Sequence, residues 1–175
     1  MSIIQPNVKN QIKVVLDSFN TISYTGRQFD ATYIVDFNKI VMTQSDLDRP
    51  YLMSIAFRSK EATSATNTIV NTDIYQLALD LGKGMNCVYN RNQYNICALL
   101  QVNNGFTSYT STNCPTFLSC LEQDNQPVMI KSLRGVNNIR LSVIQSSNNA
   151  IFNSVDDTTI NNASKFVCIL TFTEL

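Results

Sequence analysis

The sequence predicts an all-β domain, two antiparallel sheets packed face to face, and three observations carry that prediction. Apolar residues recur at a period of two in segment after segment. The intervals between those segments are rich in Asn, Asp, Ser and Gly, the residues that turns demand. No strand–helix–strand spacing of a parallel sheet and no internal repeat is found. At 175 residues the chain has the size of one domain, so residues 1–175 are read as a single β-sandwich. An α+β domain is the alternative, because three segments fit a helix as well as a strand.

The first of these three is residues 8–19. Val8, Ile12, Val15 and Phe19 recur at helical intervals after an Asn7 cap, yet IKVVL is β-branched. ATYIVDFNKIVM then places Tyr33, Val35 and Phe37 on one face, and YLMSIAFRS places Tyr51, Met53, Ile55 and Phe57 on one face, with SDLDRP as the turn between them. The second ambiguous segment is residues 72–82: Tyr75, Leu77, Leu79 and Leu81 fit a strand, while Ile74, Leu77, Ala78 and Leu81 fit a helix ending at Gly82.

NRNQYNICALLQVNNG alternates through Tyr94, Ile96, Ala98, Leu100 and Val102 and ends on Asn104-Gly105, a strong hairpin signal after which FTSYTST is expected to pair back. PTFLSCLEQ, the third ambiguous segment, fits a short helix with Pro115 at its first position. PVMIKSL, NIRLSVIQ and KFVCILTF supply three further strands, separated by an Arg134-Gly135 turn and by SSNNAIFNSVDDTTINNAS, which Ile151 and Phe152 are expected to anchor to the body. In KFVCILTFTEL, Phe166, Cys168, Leu170 and Phe172 share one face and Val167 and Ile169 the other. Seven or eight such strands describe a sandwich, most simply a single jelly roll with one or two short helices.

Composition narrows function. Thirteen basic residues balance thirteen acidic ones and charge makes up only 15% of the chain, against about a quarter in ordinary domains. Neither a nucleic-acid footprint nor a polybasic membrane surface is expected from so dilute a supply. Amides take the place of charge, with 21 Asn and 10 Gln, giving a polar surface with little repulsion between copies. No apolar run approaches membrane-spanning length, and MSIIQPNVKN has neither the basic flank nor the apolar core of a signal peptide, which leads to the expectation of a cytoplasm-like compartment.

The chain contains no histidine, so imidazole-based nucleophile systems and imidazole metal sites are excluded. The carboxylate pairs Asp46/Asp48, Glu122/Asp124 and Asp156/Asp157 lie in turn-like stretches and are read as structural, and Gly82-Lys83-Gly84 lacks the length and hydroxyl of a phosphate-binding loop. Cys87, Cys97, Cys114, Cys120 and Cys168 show no metal-binding rhythm and are read as small hydrophobes, with Cys114 in a turn. No catalytic residue, metal or cofactor is expected. Tyr24, Tyr89, Tyr94 and Tyr109 are candidates for a glycan-stacking platform, and Arg27, Arg91 and Arg134 sit where a guanidinium fork can reach a neighbouring molecule.

The succession ATYIVDFNKIV, PYLMSIAFRS, PVMIKSLRGVNNIRLSVIQSSNN and KFVCILTFTEL resembles the single jelly-roll capsid components of large double-stranded DNA viruses and their virophages. Within it, Leu133, Gly135, Val136, Ile139, Leu141 and Val143 match that group's late segment. The resemblance carries no catalytic residue. It implies a minor capsid or vertex protein that forms a symmetric homo-oligomer and meets other capsid proteins in a virion assembled in the host cytoplasm. From the residues themselves, the turn-like settings of Arg27, Arg91 and Arg134 and the outward face of the last strand, the interface is expected to include Arg27, Arg91, Arg134, Val167 and Ile169. A receptor- or glycan-binding module of the same β-sandwich class is the alternative function.

Overall fold

The alternation in QIKVVLD becomes a strand because every second side chain has a core to enter: Ile12, Val14 and Leu16 are buried while Lys13 and Val15 are exposed. The computed structural model describes residues 10–18, 23–24, 29–40, 43–59, 69, 73–82, 89–91, 94–104, 116–152 and 166–175. Its strands are β1 (Gln11–Asp17), β2 (Ser23–Tyr24), β3 (Asp30–Ile34), β4 (Tyr51–Ser59), β5 (Tyr75–Asp80), β6 (Tyr89–Arg91), β7 (Tyr94–Asn104), β8 (Thr116–Cys120), β9 (Val128–Ile130), β10 (Asn138–Gln145), β11 (Ala150–Ile151) and β12 (Phe166–Glu174).

Every pairing is antiparallel. One sheet runs β1-β12-β4-β8 and the other β3-β10-β5-β7, with the shorter strands on their margins. Successive long strands cross from sheet to sheet except for the β5–β7 pair, which is the interleaving of a jelly roll. The eleven-residue β7 belongs to both layers: its first half pairs with β5 and its last four residues with β8, so the sheets join into one nearly closed surface. The register shifts between Leu77 and Ala78 of β5, which face Ala98 and Ile96, so that Cys97 is an extra residue on β7.

The three ambiguous segments all resolve as strands: residues 8–19 supply β1, residues 72–82 supply β5, and PTFLSCLEQ supplies β8. Tertiary pairing decides each. β8 returns onto Gln101–Asn104 and against β4, burying both Leu118 and Cys120, which a helix would set on opposite faces. The α+β alternative is therefore not adopted: the helical content among the described residues is two short 3-10 turns, Phe37–Lys39 and Gln44–Asp48. The first ends the expected ATYIVDFNKIVM strand early, where Asp36 accepts from the Asn38 amide, but Tyr33, Val35 and Phe37 still all reach the core. The second replaces the simple turn expected in SDLDRP; its Asp46 carboxylate accepts from the Thr43 N–H at 2.8 Å. The FTSYTST return strand lies outside the described residues.

Glycine permits two of the predicted breaks, since Gly82 (φ 68°) and Gly135 (φ 74°) both adopt the left-handed region. Between the sheets, Phe166 of β12 stacks on Phe29 and Phe57, with ring centroids 6.2 and 5.4 Å away. Phe29 in turn stacks on Phe152 at 5.3 Å, and Phe152 meets the edge of Tyr75 at 5.0 Å. The anchor predicted at Phe152 is thus a rung of the core; the remainder of that polar segment, residues 153–164, lies outside the described residues.

Phe166, Cys168, Leu170 and Phe172 are all buried, as the alternation predicts. Leu170→Asp should abolish folding, since an unpaired carboxylate at this site costs more than about 4 kcal/mol, a large share of a domain's stability. Loss of the cooperative denaturant transition, followed by circular dichroism, checks it; a folded variant within 1 kcal/mol or so of the parent would refute this account of the core.

Candidate interaction surfaces

The outward face of β12 lies between β1 and β4, and the register aligns its residues into rows. Val15, Ile169 and Ala56 stand side by side on three strands; Asp17, Val167 and Arg58 form the row on one flank, and Lys13, Thr171 and Ser54 the row on the other. Val15 is 62% exposed and Val167 42%, while Ile169 and Ala56 are half-buried. Leu121, 57% exposed, follows directly on β8 and continues the apolar band beyond β4. Arg58 closes one corner, its guanidinium 4.7 Å over the Phe117 ring.

Part of this face is covered from within. Thr171 is buried, and its hydroxyl donates to Glu122 Oε1 at 2.6 Å, so the segment after β8 covers the row beside Ile169. The sequence points to other covers for this face, the N-terminal segment and the 146–164 loop. Residues 1–9 and 153–165 lie outside the described residues, and residues 150–152 instead pack on the opposite sheet, where β11 pairs with β10.

The three arginines fare differently. Arg134 grips Asp48 with two parallel bonds, Nε to Oδ1 at 2.5 Å and Nη2 to Oδ2 at 2.7 Å, and Nη2 also donates to the Gln44 carbonyl. Its backbone N–H and that of Leu133 both donate to the Leu47 carbonyl. Arg134 therefore fastens the β9–β10 connection to the second 3-10 turn while remaining half exposed. Arg91 belongs to β6, but its side chain is outside the description, and Arg27 lies outside the described residues altogether.

On the opposite sheet a cleft of about 210 Å³ opens over β5, β7 and β10, lined by Ala78, Leu79, Asp80, Tyr94, Asn95, Arg140 and Ser142. Arg140 holds Asp30 of β3 in a two-bond grip of 2.8 and 2.7 Å, and the Ser142 hydroxyl donates to the same carboxylate at 2.9 Å. Burial raises the Asp30 carboxyl, but the hydrogen bonds from Arg140 and Ser142 and the charge of Arg140 outweigh it and hold the group below its ordinary value. Tyr94 and Ile151 pack on a small outward cluster of Ala78, Ile96 and Ile144 beside the cleft. Of the four candidate stacking tyrosines, Tyr94 alone has a described ring; the side chains of Tyr24 and Tyr89, and all of Tyr109, fall outside the description. The Asp30–Arg140–Ser142 cluster escapes sequence reasoning because its members are far apart in the chain. The one local signal is that Arg140 and Ser142 share the outward face of NIRLSVIQ.

The turn carboxylates are engaged by their own loops. Asp46 caps its turn, Asp48 holds Arg134, Glu122 covers Thr171 and Asp124 accepts from the Leu121 N–H, whereas Asp156 and Asp157 lie outside the described residues. Among the described residues no group of three or more Cys, Asp or Glu is placed to hold a metal. Cys97, Cys120 and Cys168 are buried thiols; burial pushes Cys120 up to about 11 and Cys168 well above its ordinary value, so both stay protonated at neutral pH. Cys87 and Cys114 lie outside the description.

Because Asp30 has a folded pKa below its ordinary value of 3.8, the stability it adds is complete above that value and is lost as pH falls through the folded one. Asp30→Asn should therefore lower stability at neutral pH by on the order of 0.5–1 kcal/mol, given the solvent around the pair. The gap from the parent should close on acidification. Urea midpoints measured from neutral pH down to pH ~2 test the sign; a gap that widens in acid would contradict the assignment.

No protein-family model matches this chain and no curated protein matches it, so its function is read from the surfaces described above.

Proposed function

We propose that this protein is a structural assembly protein, a minor capsid component of a virus, acting through protein–protein contacts without catalysis. The observation that carries this reading is the apolar row of Val15, Ile169 and Ala56 on the outer face of the sheet, continued by Val167 and Leu121. A single exposed valine is ordinary on any protein, but a contiguous band across neighbouring strands marks a contact surface. The jelly-roll order agrees with it, because that rigid two-sheet scaffold is one from which capsid proteins are built. The fold alone does not decide, since lectin domains use it too. The sparse charge agrees as well: copies of a chain with formal net charge zero repel one another little. In this reading the partners are copies of the chain and other capsid proteins, and the setting is a virion assembled in the host cytoplasm.

A second reading, a glycan- or receptor-binding module, draws on the cleft. There Tyr94, Asp80 and Asn95 set an aromatic ring beside planar hydrogen-bonding groups, a combination suited to a sugar's apolar face and hydroxyls. Binding to a glycan array that Tyr94→Ala abolishes without a change in thermal stability would favour it. An array silent at millimolar ligand would remove it.

Ile169→Asp separates assembly from folding. The side chain sits on the outward face, so the variant should keep the parent's unfolding transition within about 1 kcal/mol while losing self-association and incorporation into particles. Light scattering over a concentration series reads this directly. A parent that is strictly monomeric and never enters particles would defeat the assembly reading; a variant that unfolds would show the face to be internal packing.

A further inference from the structure

β1 stands at one end of the sheet path, and among the described residues it pairs with β12 alone. The direction of its backbone groups follows from two bonds at its ends: Glu174 N–H donates to the Asn10 carbonyl and Ser18 N–H to the Phe166 carbonyl. In an antiparallel ladder these bonded positions alternate, so the even residues Ile12, Val14 and Leu16 bond inward to β12. The N–H and C=O groups of Gln11, Lys13, Val15 and Asp17 point away from the sheet. The register with β12 runs without a bulge and the seven-residue strand contains no Pro, so Lys13 is the residue of β1 that most resembles the devices by which sheet edges avoid pairing.

We propose that this edge recognises a second copy of the chain, the two β1 strands pairing antiparallel about a two-fold axis through Val15. The proposal deepens the assembly reading and rests on it. Charge selects the register. Outward-pointing groups can meet only in registers that pair odd residues with odd ones, and among these the Val15-centred register sets Lys13 opposite Asp17 on both sides of the axis. Centring on Lys13 or on Asp17 would place like charges together, and the registers between would set Val15 against a charge. Asp17 is half-buried, and a carboxylate accepts from more than one donor, so it need not give up contacts within its own chain. The same register sets Val15 against its copy, so the Ala56–Ile169–Val15 row would run on across the axis into the partner's row, covering the most exposed member of the band.

The test is a charge exchange followed by sedimentation velocity or multi-angle light scattering of the full chain. Lys13→Asp and Asp17→Lys each turn two attractive cross-strand pairs into repulsive ones, so each alone should weaken self-association by about tenfold or more. An equimolar mixture of the two variants should associate again, because Asp at 13 then faces Lys at 17 and Lys13 faces Asp17. Val15→Pro removes only an outward-pointing N–H, which an edge strand tolerates; it should unfold like the parent and fail to pair. If the parent self-associates, Ile169→Asp disrupts that association, and the β1 variants leave it unchanged, the edge pairing is overturned while the assembly reading stands. A parent that is monomeric at every concentration overturns the edge pairing, and one that also never enters particles overturns the assembly reading with it. Failure of the mixture to associate, with each variant folded, overturns the Val15-centred register.

Discussion

The fold depends on the closing strand. β12 is threaded between β1, close to the start of the chain, and β4, and it hydrogen-bonds along both edges over nearly its whole length. Phe166 at its start stacks across the interior on Phe29, and Phe172 near its end meets the edge of Phe37 at 5.4 Å. The salt bridge from Arg49 to Glu174 and the bond from Leu175 N–H to the Pro50 carbonyl fix the far end. Without β12, β1 would have no partner among the described residues, and the inner face of β4 would lose the row that packs beside it. Such a sheet closes only when residues more than a hundred positions apart meet, so folding must bear the loop-closure entropy before that strand repays it.

That dependence explains what could be read in the sequence. The inward and outward faces of β4, β10 and β12 are legible because alternation is a local property: Met53, Ile55, Leu141 and Leu170 announce their side before any partner is known. The β1 and β5 segments are not legible by the same rule, since apolar residues there satisfy a period of 3.6 as well as of two, and only pairing with β12 and β10 decides. PTFLSCLEQ is ambiguous for a related reason. Pro115 suggests the first turn of a helix, but Leu118 and Cys120 are buried by strands that the local sequence does not mention.

The candidate surfaces were legible to different depths. The outward direction of Val167 and Ile169 is legible because they alternate with core residues. Their neighbours Val15 and Ala56 join them only through register, a long-range fact. Arg134 shows the opposite limit: its place in a turn suggests a reach toward another molecule, whereas Asp48, 86 residues away in sequence, already fills its fork. The Asp30–Arg140 pair, 110 residues apart, is hidden for the same reason. Polar groups in turns advertise their chemistry locally, but not whether a partner within the chain has satisfied it.

The two sheets consequently present unlike exteriors. Over β10 the outward polar groups are turned on one another, with Arg140 and Ser142 both bound to Asp30, and what remains open is a cleft rimmed by Tyr94, Asp80 and Asn95. Over β12 the outward groups include the apolar row of Val15, Ile169 and Ala56 with Val167 beside it, and among the described residues Glu122 covers the neighbouring row by accepting from Thr171. Burying that threonine with a charged acceptor limits the apolar band on one side, as Arg58 over Phe117 limits it on another. Among the described residues the band is bounded by polar groups on its flanks and runs out to the edge strand, so that growth of the sheet past β1 would extend it rather than expose a new apolar boundary.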